Sequence, residues 1–396
     1  MRERELGIDA LHFYTPHYYL SLEELAYMRG VDPQKYLIGI GQKEMSIAPP
    51  NEDVITMGAN AALPLLSSID KQMIDTLFFA TESAIDQAKS GANFVHRLLN
   101  LPSRCRVIEL KQACYSATAA LRFGLALLAQ QPDKKMLVIA SDIARYRLYS
   151  PEEPTQGAGA VAFILSSHPR LLSIDSHAGL YTEDSYDFWR PNHRREALVS
   201  KCSVNCYLHA LEKAWMHYRE LSPLQLTDFS HFCYHQPFKK MVEKAHLRLA
   251  KMHSYEQSIE KWLTRVNSST IYSQRIGNSY TASLYIGLIS LLENEEEDLS
   301  EKQVGFFSYG SGCMGEFFSG KVVPNYRKYL YGKEHLKQLS GRNKLKEAEY
   351  LHFYHHSGQI KQEFESPERE KKYETETFVL ENITEEQRMY RRKIHH

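Results

Sequence analysis

The chain has 396 residues, 43% of them hydrophobic and 24% charged, with 48 Lys plus Arg against 48 Asp plus Glu. That length exceeds a small stapled fold and suits two domains or one duplicated one. The balanced charge removes the basic surplus expected of a nucleic-acid binder, and no stretch reaches the ~18 apolar residues of a membrane span. Six cysteines in so long a chain make no disulfide framework. The start MRERELGIDALHFY has no apolar secretion core, so a cytoplasmic setting with reduced thiols is expected.

Residues 1 to about 168 alternate strand-like and helix-like segments. Asn60 to Ser67 has a helical pattern, and Thr76 to Ala80 (TLFFA) is a short apolar run that fits a buried strand. Cys105 to Leu110 is a further strand, followed by a long Ala- and Leu-rich helix from Ala117 to Gln130. Lys135 to Ser141 (KMLVIAS) and Gly157 to Ile164 (GAGAVAFI) read as buried strands, the second with small residues that allow close backbone approach. This βαβ alternation predicts an α/β sheet covered on both faces. A second α/β half begins near Leu171, giving divisions at 1–168 and 169–396. It carries a strand around Cys233, a helix from Ser279 to Glu293 and a strand from Val304 to Tyr309. Glu293 to Lys302 is acidic and predicts a solvated loop. From about 321 the chain is polar and Tyr-, Lys- and Glu-rich, which predicts a peripheral extension with little chemistry.

Cys114 stands where a strand gives way to the long helix. Backbone N–H groups and the helix dipole there favour a thiolate, the nucleophilic form. Glu82, in ATESAID, lies just past a buried strand, where ligands gather in open α/β sheets. A carboxyl beside apolar residues has a raised pKa suited to proton transfer. Asp86, four residues on, is placed to share a helical face with it. His231, Cys233 and His235 alternate at strand period, which admits a metal reading with Cys202, Cys206 and His209. The paired CxxC spacing of strong zinc sites is missing. Pro237 turns the chain and leaves His235 at a strand end, better placed for a substrate carbonyl. Gly310, Gly312 and Gly315 have GxGxxG spacing but lack the strand–helix context of a dinucleotide site; they suit an oxyanion-type contact. Cys313 in that loop reads as a packed cysteine. Lys240 and Lys244 share one helical face, either solvated or paired with a phosphate-bearing ligand such as coenzyme A. Asn278 is either a helix N-cap or a partner for a substrate carbonyl.

The blocks VDPQKYLIGIGQKEM, EDVITMGANAA, ATESAID, ACYSATAA, EPTQGAGAVA, YTEDSYDFWRP, GNSYTASLYIGLISLLEN and FSYGSGCMGEFFSG run almost the length of the chain. With them the sequence resembles the 3-hydroxy-3-methylglutaryl-CoA (HMG-CoA) synthases of the thiolase superfamily, especially the bacterial mevalonate-pathway enzymes. The resemblance implies a five-layered αβαβα fold from two related halves, usually a homodimer. It implies an acyltransferase that condenses acetyl-CoA with acetoacetyl-CoA for isoprenoid synthesis, with coenzyme A thioesters as substrates and no metal or other cofactor. The family's nucleophile falls on Cys114, its general acid/base on Glu82 and its histidine on His235. Its supporting aspartate matches Asp86, and another active-site aspartate matches Asp187. Substrate contacts fall on Asn278 and on Ser308 or Ser311. Coenzyme A contacts fall on Tyr146, Thr155, Pro237, Lys240 and Lys244.

Two features depart from the family. The segment after DFWRP reads NHRREALVSKCSVNCYL, shorter than usual. Gln112 stands where mevalonate enzymes commonly have Glu. The KQACYS spelling also occurs in relatives of polyketide β-branching, which act on an acetoacetyl group tethered to an acyl carrier protein. That version is the alternative reading. A scaffold without activity has no reason to keep Cys114, Glu82 and His235 together.

Overall fold

A computed structural model describes residues 5–192, 194–253, 258–356 and 377–393. Among these residues nine strands form the main sheet: β1 (Gly7–Tyr14), β2 (Ile74–Ala80), β3 (Arg106–Leu110), β4 (Lys135–Ala144), β5 (Gly157–Ser166), β6 (Leu172–Thr182), β7 (Phe229–Tyr234), β8 (Gln303–Gly310) and β9 (Met314–Val322). Their order is β7-β8-β9-β6-β1-β5-β4-β2-β3. Outward from the β1–β6 junction, each side repeats one pattern. The first strand of a half lies antiparallel to its last, and the last lies antiparallel to the one before. That strand runs parallel to the next strand out. The chain is thus a duplication, with β3 added to the first half. The junction is narrow: Gly7 pairs with Ser173 and Ile8 with Leu172.

Period-2 alternation along the strands sorts the core into layers. Leu77, Phe79, Leu137 and Ile139 face outward, onto helices α1 (Val54–Leu66) and α2 (Gly91–Leu98). Phe78, Ala80, Met136 and Val138 face inward, onto α3 (Ser116–Gln130). In the second half Phe232, Tyr234, Phe307 and Phe317 face outward, onto α4 (Ser203–Leu221) and α5 (Lys239–Met252). Cys233, Phe306 and Phe318 face inward, onto α6 (Ser283–Asn294). Helices α3 and α6 therefore fill one central layer between the two halves of the sheet. The result is the thiolase-like αβαβα architecture. Burying a large apolar side chain contributes ~1.5–3 kcal/mol, and the central layer joins such residues from both halves, including stacked Phe163 and Tyr285. Among the described residues no helix is long and apolar enough to cross a membrane.

The predicted strands and helices are present with small changes of boundary. The helix read from Asn60 starts earlier, at Val54, because Asp53 caps it. Asp53 accepts from the backbone N–H of Ile55 and Thr56, and Thr56 returns a bond to the Asp53 backbone. The small residues of β5 serve close approach: a side chain on Gly157 would meet the carbonyls of Ile276 and Asn278 at 2.6 Å.

Two expectations are corrected. Glu293 is not in a solvated loop. It is the penultimate residue of α6, and its carboxylate accepts from Tyr272 Oη (2.8 Å) and meets His335 Nδ1 (2.9 Å). The extension beyond Val322 is not merely peripheral. His335, Arg342, Tyr350 and Phe353 are buried. A terminal hairpin, β10 (Phe378–Thr384) and β11 (Gln387–Arg392), lies on α1. Apolar content hidden in a Tyr- and His-rich stretch drives this docking, since such rings bury a large apolar body behind one polar atom.

Asp53 is where the hairpin and α1 meet: besides its cap it accepts from Tyr390 Oη (2.6 Å) and Arg388 (3.0 Å). Removing a cap costs ~1 kcal/mol, up to 2, and the lost hydrogen bonds from Arg388 and Tyr390 add to it. Asp53→Ala is expected to lower the calorimetric unfolding midpoint by about 3 °C; an unchanged midpoint would show that the hairpin docks without this carboxylate.

Candidate active site

Cys114 follows a turn rather than opening the helix. Ala113 takes φ 45°, a left-handed conformation that is uncommon and costly outside glycine. The turn closes with Tyr115 N–H donating to Gln112 O (3.1 Å). It fits against Gly310, where a side chain would collide with Gln112 O at 2.5 Å and Tyr115 Cβ at 2.7 Å. The turn lifts the thiol out of the start of α3 toward the end of β2, where Glu82 begins the next loop. Cys114 Sγ donates to Glu82 Oε1 at 3.2 Å.

The surroundings of the thiol are largely apolar. Cys114 is buried with Ala144, Tyr146, Ala197 and Tyr280. Burial pushes the thiol well above its ordinary pKa, and the Glu82 carboxyl beside it pushes the same way. The expected thiolate-favouring dipole is therefore corrected: Cys114 precedes the helix, and desolvation next to a carboxylate outweighs it. Glu82 is raised to about 8, first by burial and then by the charge of Asp142. Arg190 opposes that rise.

Asp142, near the end of β4, is the residue the sequence reading missed. It is fully enclosed and accepts four hydrogen bonds: Thr81 Oγ1 (2.9 Å), Glu82 N–H (2.9 Å), Thr281 N–H (3.1 Å) and Thr281 Oγ1 (2.5 Å). One signal was available, a lone acid inside the apolar run MLVIASDI.

His235 sits just beyond the end of β7, as predicted, and is held by its backbone N–H on Phe307 O (2.7 Å). Burial lowers its pKa to about 3, so the ring is neutral. Nδ1 contacts Ser283 Oγ at 2.7 Å, and that oxygen also accepts from Gln236 N–H (3.3 Å). With Ser283 donating to Nδ1, the ring proton resides on Nε2, free for a ligand. The metal reading has no support: among the described residues no group of three His, Cys, Asp or Glu can hold an ion. His231 meets Glu295 (3.1 Å), and Cys233 is in the central core.

The other sequence-derived residues divide. Asn278 is buried, accepts from Tyr280 N–H (2.9 Å) and donates to Tyr146 Oη (3.3 Å), so it braces the residues that lead into a 3-10 turn and borders the thiol cage. Thr155 joins it through its carbonyl, which accepts from Asn278 N–H (3.1 Å). Asp187 is buried and accepts from Tyr309 Oη and Gly312 N–H, both at 2.8 Å. That second bond corrects the oxyanion reading, since Gly312 N–H is already occupied. Ser311 lines a cavity of about 880 Å³ together with Glu82, Gln112, Arg145 and Arg190. Ser308 is buried under α3, accepting from Thr118 Oγ1 (2.8 Å).

Asp86 is corrected as well. Residues 81–90 form no helix, so it shares no face with Glu82. It is exposed and accepts from the backbone N–H of Ala88 and Lys89. Pro237 leads into α5, where Lys240 pairs with Glu243 (2.5 Å) and Lys244 is exposed.

Comparison with known proteins identifies the family. Residues 2–169 match the profile described as hydroxymethylglutaryl-coenzyme A synthase N terminal, and residues 172–261 and 248–395 match the corresponding C-terminal profile. The hydroxymethylglutaryl-CoA synthase of Enterococcus faecalis is 43% identical over 347 residues, 87% of this chain and 90% of the relative. The polyketide biosynthesis 3-hydroxy-3-methylglutaryl-ACP synthase of Bacillus subtilis is 36% identical over 381 residues, 90% of this chain and 89% of the relative. A crystal structure of HMG-CoA synthase complexed with CoA superposes with a TM-score of 0.91 at 37% identity, covering 98% of this chain and all (100%) of the other.

The Cys114–Glu82 pair yields a directional test. A negative charge on Glu82 opposes ionisation of the thiol, so Glu82→Gln is expected to speed iodoacetamide labelling of Cys114 at pH 8, read on the isolated peptide. Slower labelling would mean that Glu82 chiefly promotes thiolate formation in the resting enzyme.

Proposed function

Since the chain belongs to the hydroxymethylglutaryl-CoA synthase family, we propose that it is an acyltransferase condensing acetyl-CoA with acetoacetyl-CoA to give HMG-CoA and free CoA. The observation that carries the reading is the 3.2 Å contact of a buried cysteine with a carboxyl of raised pKa. A simple Claisen enzyme would instead need a second acid/base cysteine or a histidine pair.

Each step follows from an atom already placed. Cys114 attacks the acetyl thioester and loses its proton to the departing CoA thiolate, so that free CoA leaves and an acetyl-cysteine forms. Glu82, in its ionised form, removes a proton from the acetyl methyl. The resulting enolate attacks the β-ketone of the second substrate. His235 donates Nε2–H to a carbonyl of that substrate, and its neutral state keeps it a hydrogen-bond donor rather than an acid. Glu82 then returns its proton to the new alkoxide. Water cleaves the Cys114 thioester and leaves a carboxylate on the product. Asp142 and Asp187 act as positioning residues, and Asn278, Tyr146 and Ser311 border the acyl groups. Thr155 and Pro237, with the lysines of α5, lie toward the coenzyme A arm. The protein is taken to work in the cytoplasm as a homodimer, in isoprenoid supply.

The carrier-protein version is the second reading. Gln112 favours it, as does the 36% identical carrier-protein relative; the 43% identical synthase favours coenzyme A. Turnover of acetoacetyl-CoA against an acetoacetyl carrier protein separates them: a large preference for the carrier would reverse the assignment.

Incubation with acetyl-CoA should place acetyl on Cys114 alone, by peptide mass mapping. Glu82→Ala should still be acetylated while condensation falls ~10²–10⁴-fold; near-normal condensation would sink the acid/base assignment. Because Glu82 must be ionised to take the methyl proton and its pKa lies at about 8, the condensation step should accelerate as pH rises and level off above that value. A rate that falls between pH 7 and 9 would contradict it. Replacing Lys240 and Lys244 together with Ala should raise KM for CoA thioesters with little change in kcat, and an unchanged KM would make them a solvated face only.

A further inference from the structure

The proposed chemistry uses one thiol, yet two others, Cys202 and Cys206, lie in the segment that departs from the family, and Cys313 stands in the glycine loop. Cys202 is exposed and stands at the N-cap of α4; Cys206, one turn on, is half-buried. Their sulfurs are 3.6 Å apart, close to van der Waals contact. Cβ atoms of helical neighbours at this spacing are ~5–6 Å apart, and a disulfide needs ~3.5–4.5 Å. The small remaining approach falls on an N-cap, which is only half in the helix and follows an irregular stretch. Each sulfur is also poised by a hydroxyl: Cys202 by Ser200 Oγ (2.8 Å) and Cys206 by Ser185 Oγ (3.4 Å).

These contacts lead directly to the site. Ser185 N–H donates to Gly312 O (3.1 Å), and Ser200 N–H donates to Asp187 O (2.9 Å). Asp187 in turn clamps Gly312 and Tyr309. Tyr207, next to Cys206, donates to the His235 carbonyl (2.7 Å). Cys313, held at φ 101°, accepts from Glu183 N–H through its carbonyl (3.1 Å) and closes the same loop.

We propose that Cys202 and Cys206 are a modification site, a dithiol that a peroxide closes to a disulfide and that thereby weakens substrate use through the Ser185–Asp187 segment. The exposed Cys202 meets the oxidant first. Its sulfur attacks the peroxide, becomes a sulfenic acid and releases one water from hydrogen peroxide. Cys206 displaces the hydroxyl, forming the S–S bond and releasing a second water. A dithiol reductant restores both thiols. In the closed form Cys206 loses its contact with Ser185, and the first turn of α4 tightens away from Asp187.

The test treats the full-length protein with graded hydrogen peroxide, blocks remaining thiols and digests with trypsin. Both cysteines lie on one expected peptide, CSVNCYLHALEK, between Lys201 and Lys213. The expected result is this peptide lacking both thiol hydrogens and unreactive to the blocking reagent, before Cys114 is modified. In parallel kcat/KM for the β-ketoacyl substrate should fall about fivefold or more, the usual size of a coupling between sites, and recover with dithiothreitol. Cys202→Ser should keep its basal kcat/KM and resist the peroxide. Reduced Cys202 and Cys206 in inactivated protein, equal loss in Cys202→Ser, or a disulfide without change in kcat/KM would each overturn the proposal. The mass measurement stands whatever reaction the enzyme performs, so failure of the activity reading is distinguishable from failure of this one.

Discussion

The site depends on one buried carboxylate. Asp142 Oδ1 accepts from Thr81 and from the Glu82 backbone, and its Oδ2 accepts from Thr281 twice. The first pair belongs to the end of β2 and the second to the turn before α6. One side chain therefore ties the Glu82 loop of the first half to the helix start of the second. An enclosed carboxylate survives only with such partners, because an unpaired one costs far more than a hydrogen bond returns. Burial raises the Asp142 pKa and its donors oppose that rise; its charge adds to the burial that holds the Glu82 proton. Position and proton affinity of Glu82 thus come from the same atoms.

Low polarity shapes the rest of the proposed chemistry. Burial keeps the Cys114 proton on, the Glu82 proton on and the His235 ring neutral. A resting site whose thiol, acid/base carboxyl and imidazole are all neutral suits a substrate that itself becomes anionic. Enolate and alkoxide then develop in a setting where one hydrogen bond counts for more than in water. A neutral His235 donates without handing over its proton, which leaves proton traffic to Glu82. Tyr146, Tyr280 and Ala197 around the thiol exclude water from the acetyl-cysteine stage.

The sequence was most legible where one physical pattern acts alone. The apolar run TLFFA predicts β2, the Ala- and Leu-rich run predicts α3, and Pro237 marks the strand end at His235. It was less legible where a side chain's partner is distant. Asp86 sits four residues after Glu82, yet the intervening residues coil, so the helical spacing misleads. Gly312 has the spacing of a ligand loop, but its N–H serves Asp187, 125 positions earlier. Asp142 reads as an intruder in a strand until Thr281 is known to face it, 139 positions on. The tyrosines beyond Val322 look polar in the sequence. Tyr350 and Tyr354 bury their rings and send Oη to Glu153 (2.9 Å) and the Tyr146 carbonyl (2.7 Å). The extension thus supports the wall of the thiol cage.

Duplication explains why these distant groups meet. Helix α3 precedes β4 as α6 precedes β8, and the two helices share the central layer. They are joined by Thr118 Oγ1, which contacts Tyr285 Oη (3.0 Å) and donates to Ser308 Oγ (2.8 Å). Cys114 lies before the start of α3; Asn278, Thr281 and Ser283 lie at or before the start of α6. Both helix starts therefore present their groups at one end of the layer. The copies have diverged in what they present: a thiol and the carboxyl it contacts from one half, a neutral imidazole fixed by Ser283 from the other. The proposed condensation needs that division, because one acyl group is held covalently while the carbonyl of the other is only polarised. Symmetry in the fold brings the two stations together, and asymmetry in a few side chains gives each its own task.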